Sequence, residues 1–286
     1  MFERRDLSAA LEAVRASHAP GALVLDVAGD FEVLPPELAE NLGPMVDRFD
    51  PLTYPAEWVP PDAPEQLGRL AGGEFTIGMP GDGGVAWTRQ TEPPTVFVKP
   101  RLEGSPEPFV SFLVAEALVE AGTGLPEHFL GFFEDRYAEL AASVRLSPAD
   151  TYQLANAVYD AYVGLHTRET FEGWGSASSA DRAGSPDRTD SADPAVSTAP
   201  TDLTPLYDAW VDAGERLEPR LSGLSREVAT GETSFSAAAE LACSAVKHGV
   251  DPPTPFGALD TAAYRHHGAE YAVEWIERTL AELEED

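Results

Sequence analysis

From Ser105 onward the apolar residues recur with a period of 3.6, whereas between Glu74 and Val98 short apolar runs sit between turn residues. That switch predicts an α+β chain whose helices carry most of the core, because one spacing cannot serve both a helix face and a strand face. Three helix starts share similar punctuation, Ser105-Pro106, Leu125-Pro126 and Ser147-Pro148. Serine caps free amides and proline fits the first helical turn. In the second of these helices Phe129, Phe133, Tyr137, Leu140 and Val144 share one stripe, with Glu134, Asp135 and Glu139 off it. The spacing predicts that this helix buries one face. The third, from Pro148 to about Thr167, has Leu154, Val158, Ala161 and Leu165 on one side and Tyr152, Tyr159, Tyr162 and His166 on another. A helix that is apolar on two sides belongs at the centre of a bundle.

Upstream, Asp6 to Ser17 reads as a helix with Leu7, Ala10, Leu11 and Val14 in register, and Ala22 to Val27 as a buried strand. Prolines recur from Pro35 to Pro64, which predicts an irregular wrap with one short helix around Glu37 to Leu42. Glu74 to Met79 and Val85 to Arg89 flank Pro80-Gly-Asp-Gly-Gly84 and read as a β-hairpin, since Asp-Gly and Gly-Gly tolerate positive φ. A third strand, Thr95 to Val98, is fenced by Pro93, Pro94 and Pro100, which places it at a sheet edge. The fold expected is predominantly α-helical α+β, a small antiparallel sheet or hairpin plus a helical bundle.

Gly175 to Pro200 holds Ser, Ala, Asp, Thr, Pro, Gly and Arg with Val196 alone among large apolar residues. Such composition predicts disorder. The chain therefore divides into 1–172, an α+β part with the sheet and three helices; 173–201, an acidic Ser/Ala/Asp/Pro-rich insertion or linker; and 202–286, three further helices. Those begin at Thr204-Pro205, Ser236 and Asp260, with Asp251-Pro-Pro-Thr-Pro255 separating the last two. Their aromatic stripes at Trp210, Phe235 and Trp275 bury better against the earlier helices than alone, so the last part is expected to pack on the first.

Charge bounds the setting more than the fold. The chain carries 49 Asp plus Glu against 19 Lys plus Arg, a net charge of -30, and Lys99 and Lys247 are its only lysines. In dilute buffer such self-repulsion opposes the compact state, but at molar salt the Debye length is only about 3 Å. Acid enrichment combined with lysine avoidance resembles haloarchaeal proteins as a class, of the domain-of-unknown-function type. Composition along the whole chain carries the resemblance, and no named family's motif accompanies it. It implies a protein working in concentrated salt. It also weakens the use of acidity against nucleic-acid partners, because in such a cell every protein is acidic; only a mild argument against nucleic acid remains.

A solitary cysteine, Cys243, cannot form an intramolecular disulfide, and Met1 to Asp6 lacks the apolar core of a signal peptide. The longest apolar stretch, Phe109 to Ala121, is broken by Ser111, Glu116 and Glu120, short of the roughly 20 apolar residues a membrane span needs. A cytoplasmic protein without a membrane partner is expected.

Motifs for chemistry are sparse. Gly78 to Gly84 lacks the Gly-Lys-Ser/Thr of a phosphate loop and leads into a strand, so it reads as a turn. No Gly-x-Ser-x-Gly and no His-Glu-x-x-His is present, and Cys243 on an apolar helix face reads as an inert buried thiol. Three weaker constellations remain. Tyr152, Asn156, Tyr159 and His166 form a column of polar-tipped side chains that could line a ligand cleft or satisfy buried hydrogen bonds. His266, His267 and Glu270 could hold a metal or act as an acid-base pair, or be a solvated His/Glu pair beside an aromatic stripe. Lys99 and Arg101 could hold an anion, or simply pair with Glu103 or Glu107.

No catalytic residue and no cofactor is assigned from these. The reading is a non-enzymatic binding or scaffold protein taking a protein or small-molecule partner. The alternative is a His/carboxylate hydrolase, with or without a divalent metal, built from His166 and His267. A nucleic-acid-associated regulator is a third possibility, and it lacks the basic face it would need.

Overall fold

The computed structural model describes residues 2–77, 83–182 and 201–285. Strand β1 (Phe2–Arg4) leads to helix α1 (Ala9–His18), whose N-cap Ser8 accepts from Leu11 N, and then to strand β2 (Leu23–Val27). The proline-rich wrap contains α2 (Pro36–Leu42), β3 (Arg48–Phe49) and α3 (Glu65–Ala71). Next come β4 (Val85–Thr88), β5 (Thr91–Glu92) and β6 (Thr95–Val98). The remainder is helical: α4 (Glu107–Gly122), α5 (Phe129–Phe133), α6 (Arg136–Ser143), α7 (Pro148–Arg182), α8 (Thr204–Leu221), α9 (Leu224–Ala229), α10 (Phe235–Lys247), α11 (Ala262–His267) and α12 (Ala269–Glu285). The fold is thus α+β and predominantly α.

The main sheet runs β1-β2-β6-β4, with β2 and β6 parallel and the outer pairs antiparallel. Two expectations are corrected here. The partner of β4 is β6, in register Val85↔Val98 to Thr88↔Thr95, and not the segment beginning at Glu74, whose described residues contribute an isolated bridge between Val33 and Thr76. Residues 78–82, in the expected turn, lie outside the described residues. Strand β6 is central rather than at an edge. Its fencing prolines sit just outside the paired residues, where they remove no ladder donor, and the Pro94 carbonyl accepts from Leu23 N.

Alternation puts the two faces of the sheet into two cores. Val24, Val96 and Val98 join Leu11, Val14 and the apolar face of α4, while Leu25, Phe97 and Phe2 join Leu34, Leu42, Phe75 and Ile77 from the wrap.

The third core is built on α7, which α10 follows for most of its length. The second expected helix is two helices, α5 and α6, divided at Glu134 with φ 54. Its stripe survives the break: Phe129, Phe133, Tyr137 and Leu140 are all fully buried. Helix α7 continues to Arg182, so residues 173–182 of the expected insertion are helical. Phe171 and Trp174 account for the extension, because both are buried against Leu206 and Trp210 of α8. Residues 183–200 lie outside the described residues. Both large cores draw side chains from either side of that segment.

Candidate functional site

A cleft of about 590 Å³ opens where β4, α4, α7 and α10 meet. Helix α7 supplies its floor, since Tyr152, Asn156, Tyr159, Asp160 and Val163 recur at helical spacing and fall on one face. Leu113, Glu116, Ala117 and Glu120 of α4 form one wall and Trp87 of β4 stands beside them; Glu240, Ser244 and Lys247 of α10 form another. The turn before α5 closes one end with Glu127, His128 and Phe129.

Helix α4 is an apolar element with eight buried residues, into which Glu116 and Glu120 intrude one turn apart. Both meet the same cation. Lys247 Nζ lies 2.7 Å from Glu120 Oε1 and 3.3 Å from Glu116 Oε1, and these three side chains are only 12% to 18% exposed. The other Glu120 oxygen accepts from Trp87 Nε1 at 2.9 Å. Burial pushes the Glu116 carboxyl up to about 7, a rise the Lys247 ammonium opposes and Glu120 reinforces. Burial works against the Lys247 ammonium too, yet Glu116, Glu120 and Asp160 more than reverse it and hold that ammonium well above its usual range. Lys247 therefore stays protonated and is no nucleophile at neutral pH.

At the other end Glu127 is partly buried, and burial raises its carboxyl against three donors: Thr88 Oγ1 at 2.6 Å, Arg89 N at 2.8 Å and Gln90 Nε2 at 2.7 Å. The network ties the β4–β5 turn to α5. His128, 7% exposed, accepts from Leu130 N at its Nδ1 (3.1 Å) and so caps α5. Burial lowers its ring to about 3, which keeps the imidazole neutral. Its hydrogen therefore sits on Nε2, which has no hydrogen-bond partner among the described residues. Tyr159 donates to the Pro126 carbonyl, and Tyr152 meets Phe129 edge-on with ring centroids 5.3 Å apart.

Of the residues picked out in the sequence, Tyr152, Asn156 and Tyr159 line this cleft and His166 does not. His166 lies farther along α7 against Tyr162, ring centroids 4.7 Å apart. His266, His267 and Glu270 are exposed, and the helix breaks between them at Gly268 (φ 55), so no continuous column of His and Glu forms. Among the described residues no group of three or more His, Cys, Asp or Glu is placed to hold a metal ion. Arg101 pairs with Asp30, Nε to Oδ2 at 2.7 Å, rather than with Glu103 or Glu107; Glu107 faces Arg5 instead. Lys99 is buried at the end of β6, and neither it nor Arg101 lines the cleft. Cys243 is fully buried, and burial pushes its thiol well up.

Sequence reasoning missed Glu116, Glu120, Glu127 and Lys247. Two signals were present: the glutamates that interrupt an apolar helix one turn apart, and one of two lysines in a chain that avoids lysine. Both retained lysines are in the interior, so lysine scarcity is a property of the surface.

A family model matches residues 1–204 and 190–283, which between them include every element of the cleft. No curated protein and no solved structure matches the chain. Among the described residues no helix is long and apolar enough to cross a membrane.

Proposed function

The chain belongs to DUF7089, a family of unknown function, so its role rests on the chemistry of the cleft, and we propose that it is a non-enzymatic protein that binds a small polar molecule there. The observation that carries this reading is the placement of carboxylates inside the protein. Acidic residues on the surface follow from net charge, but Glu116, Glu120 and Glu127 are desolvated within a cleft of about 590 Å³. Burying them opposes folding unless they are paired, and a ligand is what such placement serves. Tyr152, Tyr159 and Trp87 add flat apolar surface with polar tips, suited to holding a small molecule without reacting with it. Native mass spectrometry of protein purified in concentrated salt tests this. A small molecule bound at one per chain, and lost in Asn156→Leu with the melting temperature kept, is the expected result. Protein that carries no such molecule, and takes none up from a cell extract, overturns it.

A second reading, an acid-base enzyme, is favoured by one observation: Glu116, titrating at about 7 beside Glu120, is the kind of group that can give and take a proton at neutral pH. In it Glu116 stands where a histidine-carboxylate pair was expected, since His166 and His267 are outside the cleft. Turnover of the bound molecule, abolished by Glu116→Gln, would replace the binding reading with this one.

The acidity and the lysine-poor surface support a cytoplasmic role in concentrated salt. Circular dichroism followed as salt is lowered tests the adaptation to concentrated salt.

A further inference from the structure

We propose that the ligand is an organic cation, with an ammonium or guanidinium group for the Glu116–Glu120 corner and a hydrogen-bond acceptor for His128. This rests on the binding reading above and names its ligand class.

Two independent observations carry it, one at each end of the cleft. At the first end, two buried carboxylates share a single ammonium, and Asp160 acts on that same ammonium. Among the described residues Lys247 is the one cation influencing Glu116. A second positive group brought into this corner would complete the pairing of Glu116, whereas an anion would meet like charge in a desolvated site.

At the second end His128 offers a neutral N–H. Its Nδ1 is occupied by Leu130 N, so the hydrogen is on Nε2, and that atom has no acceptor among the described residues although the ring is 7% exposed and on the cleft wall. A buried donor without an acceptor opposes folding, and a ligand oxygen would relieve that cost. The two ends are set apart by α7. Tyr152 meets Phe129, next to His128, and Gly164 lies against Lys247. Their supports sit at different positions along the floor helix, so one compact ion cannot serve both ends and an elongated molecule can.

Tyr159 lies on the floor between the two ends, and the Trp87 ring beside them already holds the Arg89 guanidinium 5.1 Å from its centroid; aromatic surface of this kind favours an organic cation over a hydrated metal ion. A sugar or polyol would satisfy the carboxylate acceptors but would leave Glu116 without a second cation, and it is kept as an outcome of the test.

The test is calorimetric titration of the full chain in concentrated KCl with L-arginine and with L-citrulline, which has the same shape and no positive charge. Arginine is expected to bind at least about tenfold more tightly than citrulline. Glu116→Gln and Asp160→Asn, each retaining the wild-type circular dichroism, are expected to weaken arginine about tenfold. Asp160 is exposed, so the wild-type circular dichroism is expected to be kept in that variant. With labelled histidine, the His128 Nε2–H resonance should move downfield on adding arginine. Equal affinity for citrulline, tighter binding of an anion such as glutamate, or unchanged arginine affinity in both variants would overturn the cation while leaving small-molecule binding intact. If neither probe binds, the molecule carried by purified protein decides. A cation with an oxygen acceptor upholds the proposal; a neutral or anionic molecule overturns it alone. No molecule at all overturns both readings.

Discussion

A methyl group built on Gly164 would stand 2.6 Å from the Cα of Lys247. The backbones of α7 and α10 touch at this point, and the contact delivers Lys247 into the cleft opposite Glu116 and Glu120. Because the obstacle is backbone, it cannot swing aside, and α10 must shift to admit any side chain. Gly164→Ala is therefore expected to destabilise the protein by about 1–3 kcal/mol, read from chemical denaturation in concentrated salt. Stability equal to wild type would show that the helices do not cross so closely.

Removing the ammonium should be worse than removing its neighbours' charge. Lys247→Met leaves two buried carboxylates without their cation, with an expected loss of about 3–5 kcal/mol. The exposed pair Arg216–Asp212, at 2.7 Å, is the control, and Arg216→Ala should change stability by less than about 1 kcal/mol. Denaturation midpoints for the two variants check this, and equal losses would contradict a buried role for Lys247.

Two kinds of buried group give the fold opposite pH responses. Desolvation lowers His128 to about 3 and His248 to about 4, whereas the unfolded chain titrates both near 6.5. Between those values the unfolded state binds more protons, so this stability is present above about pH 6.5 and is lost as pH falls through about 4. Glu116 acts in the other direction. Its folded value of about 7 exceeds the ordinary 4.5, so the folded state binds more protons in that interval and stability declines as pH rises from 4.5 through 7. Glu116→Gln should abolish the decline toward neutrality and leave the acid limb alone; His248→Phe should soften only the acid limb. Denaturation free energies from pH 4 to pH 8 separate the two, and one common pH profile for all three proteins would refute the assignment.

Glu134 joins α5 to α6 with φ 54 and ψ -134, a conformation that glycine adopts without strain and glutamate does not. Gly268 has nearly the same angles between α11 and α12, φ 55 and ψ -125. Glu134 is exposed and, among the described residues, makes no side-chain hydrogen bond or ion pair that the substitution would remove, so Glu134→Gly is expected to raise stability by about 1 kcal/mol. A lower melting temperature in that variant would show that the turn is not strained.

Lowering salt from molar to about 0.1 M lengthens the Debye length from about 3 Å to about 10 Å and returns the repulsion among surface carboxylates. Loosening or unfolding on that dilution is expected in circular dichroism. A spectrum and a melting temperature that do not change would remove the inference of adaptation to brine.

Local spacing settled a good deal on its own. The stripe Phe129, Phe133, Tyr137 and Leu140 was legible as a buried face, and the Ser147-Pro148 and Thr204-Pro205 starts located α7 and α8, because caps and the 3.6 period act over one or two turns. Tyr152, Asn156 and Tyr159 were legible as one face of α7 for the same reason, and that face is the floor of the cleft. What lay opposite was not legible. Glu116 and Glu120 read as interruptions of an apolar run, and Lys247 as a remnant of a depleted residue type, because neither segment records the other's position. Pairing of β6 with β2 and β4, the break at Glu134 and the extension of α7 past Trp174 likewise depend on which distant surfaces bury one another. Sequence periods determine which face of an element is apolar; only tertiary packing decides which faces meet. Desolvation at that meeting turned three ordinary charges into the acid-walled corner around Lys247.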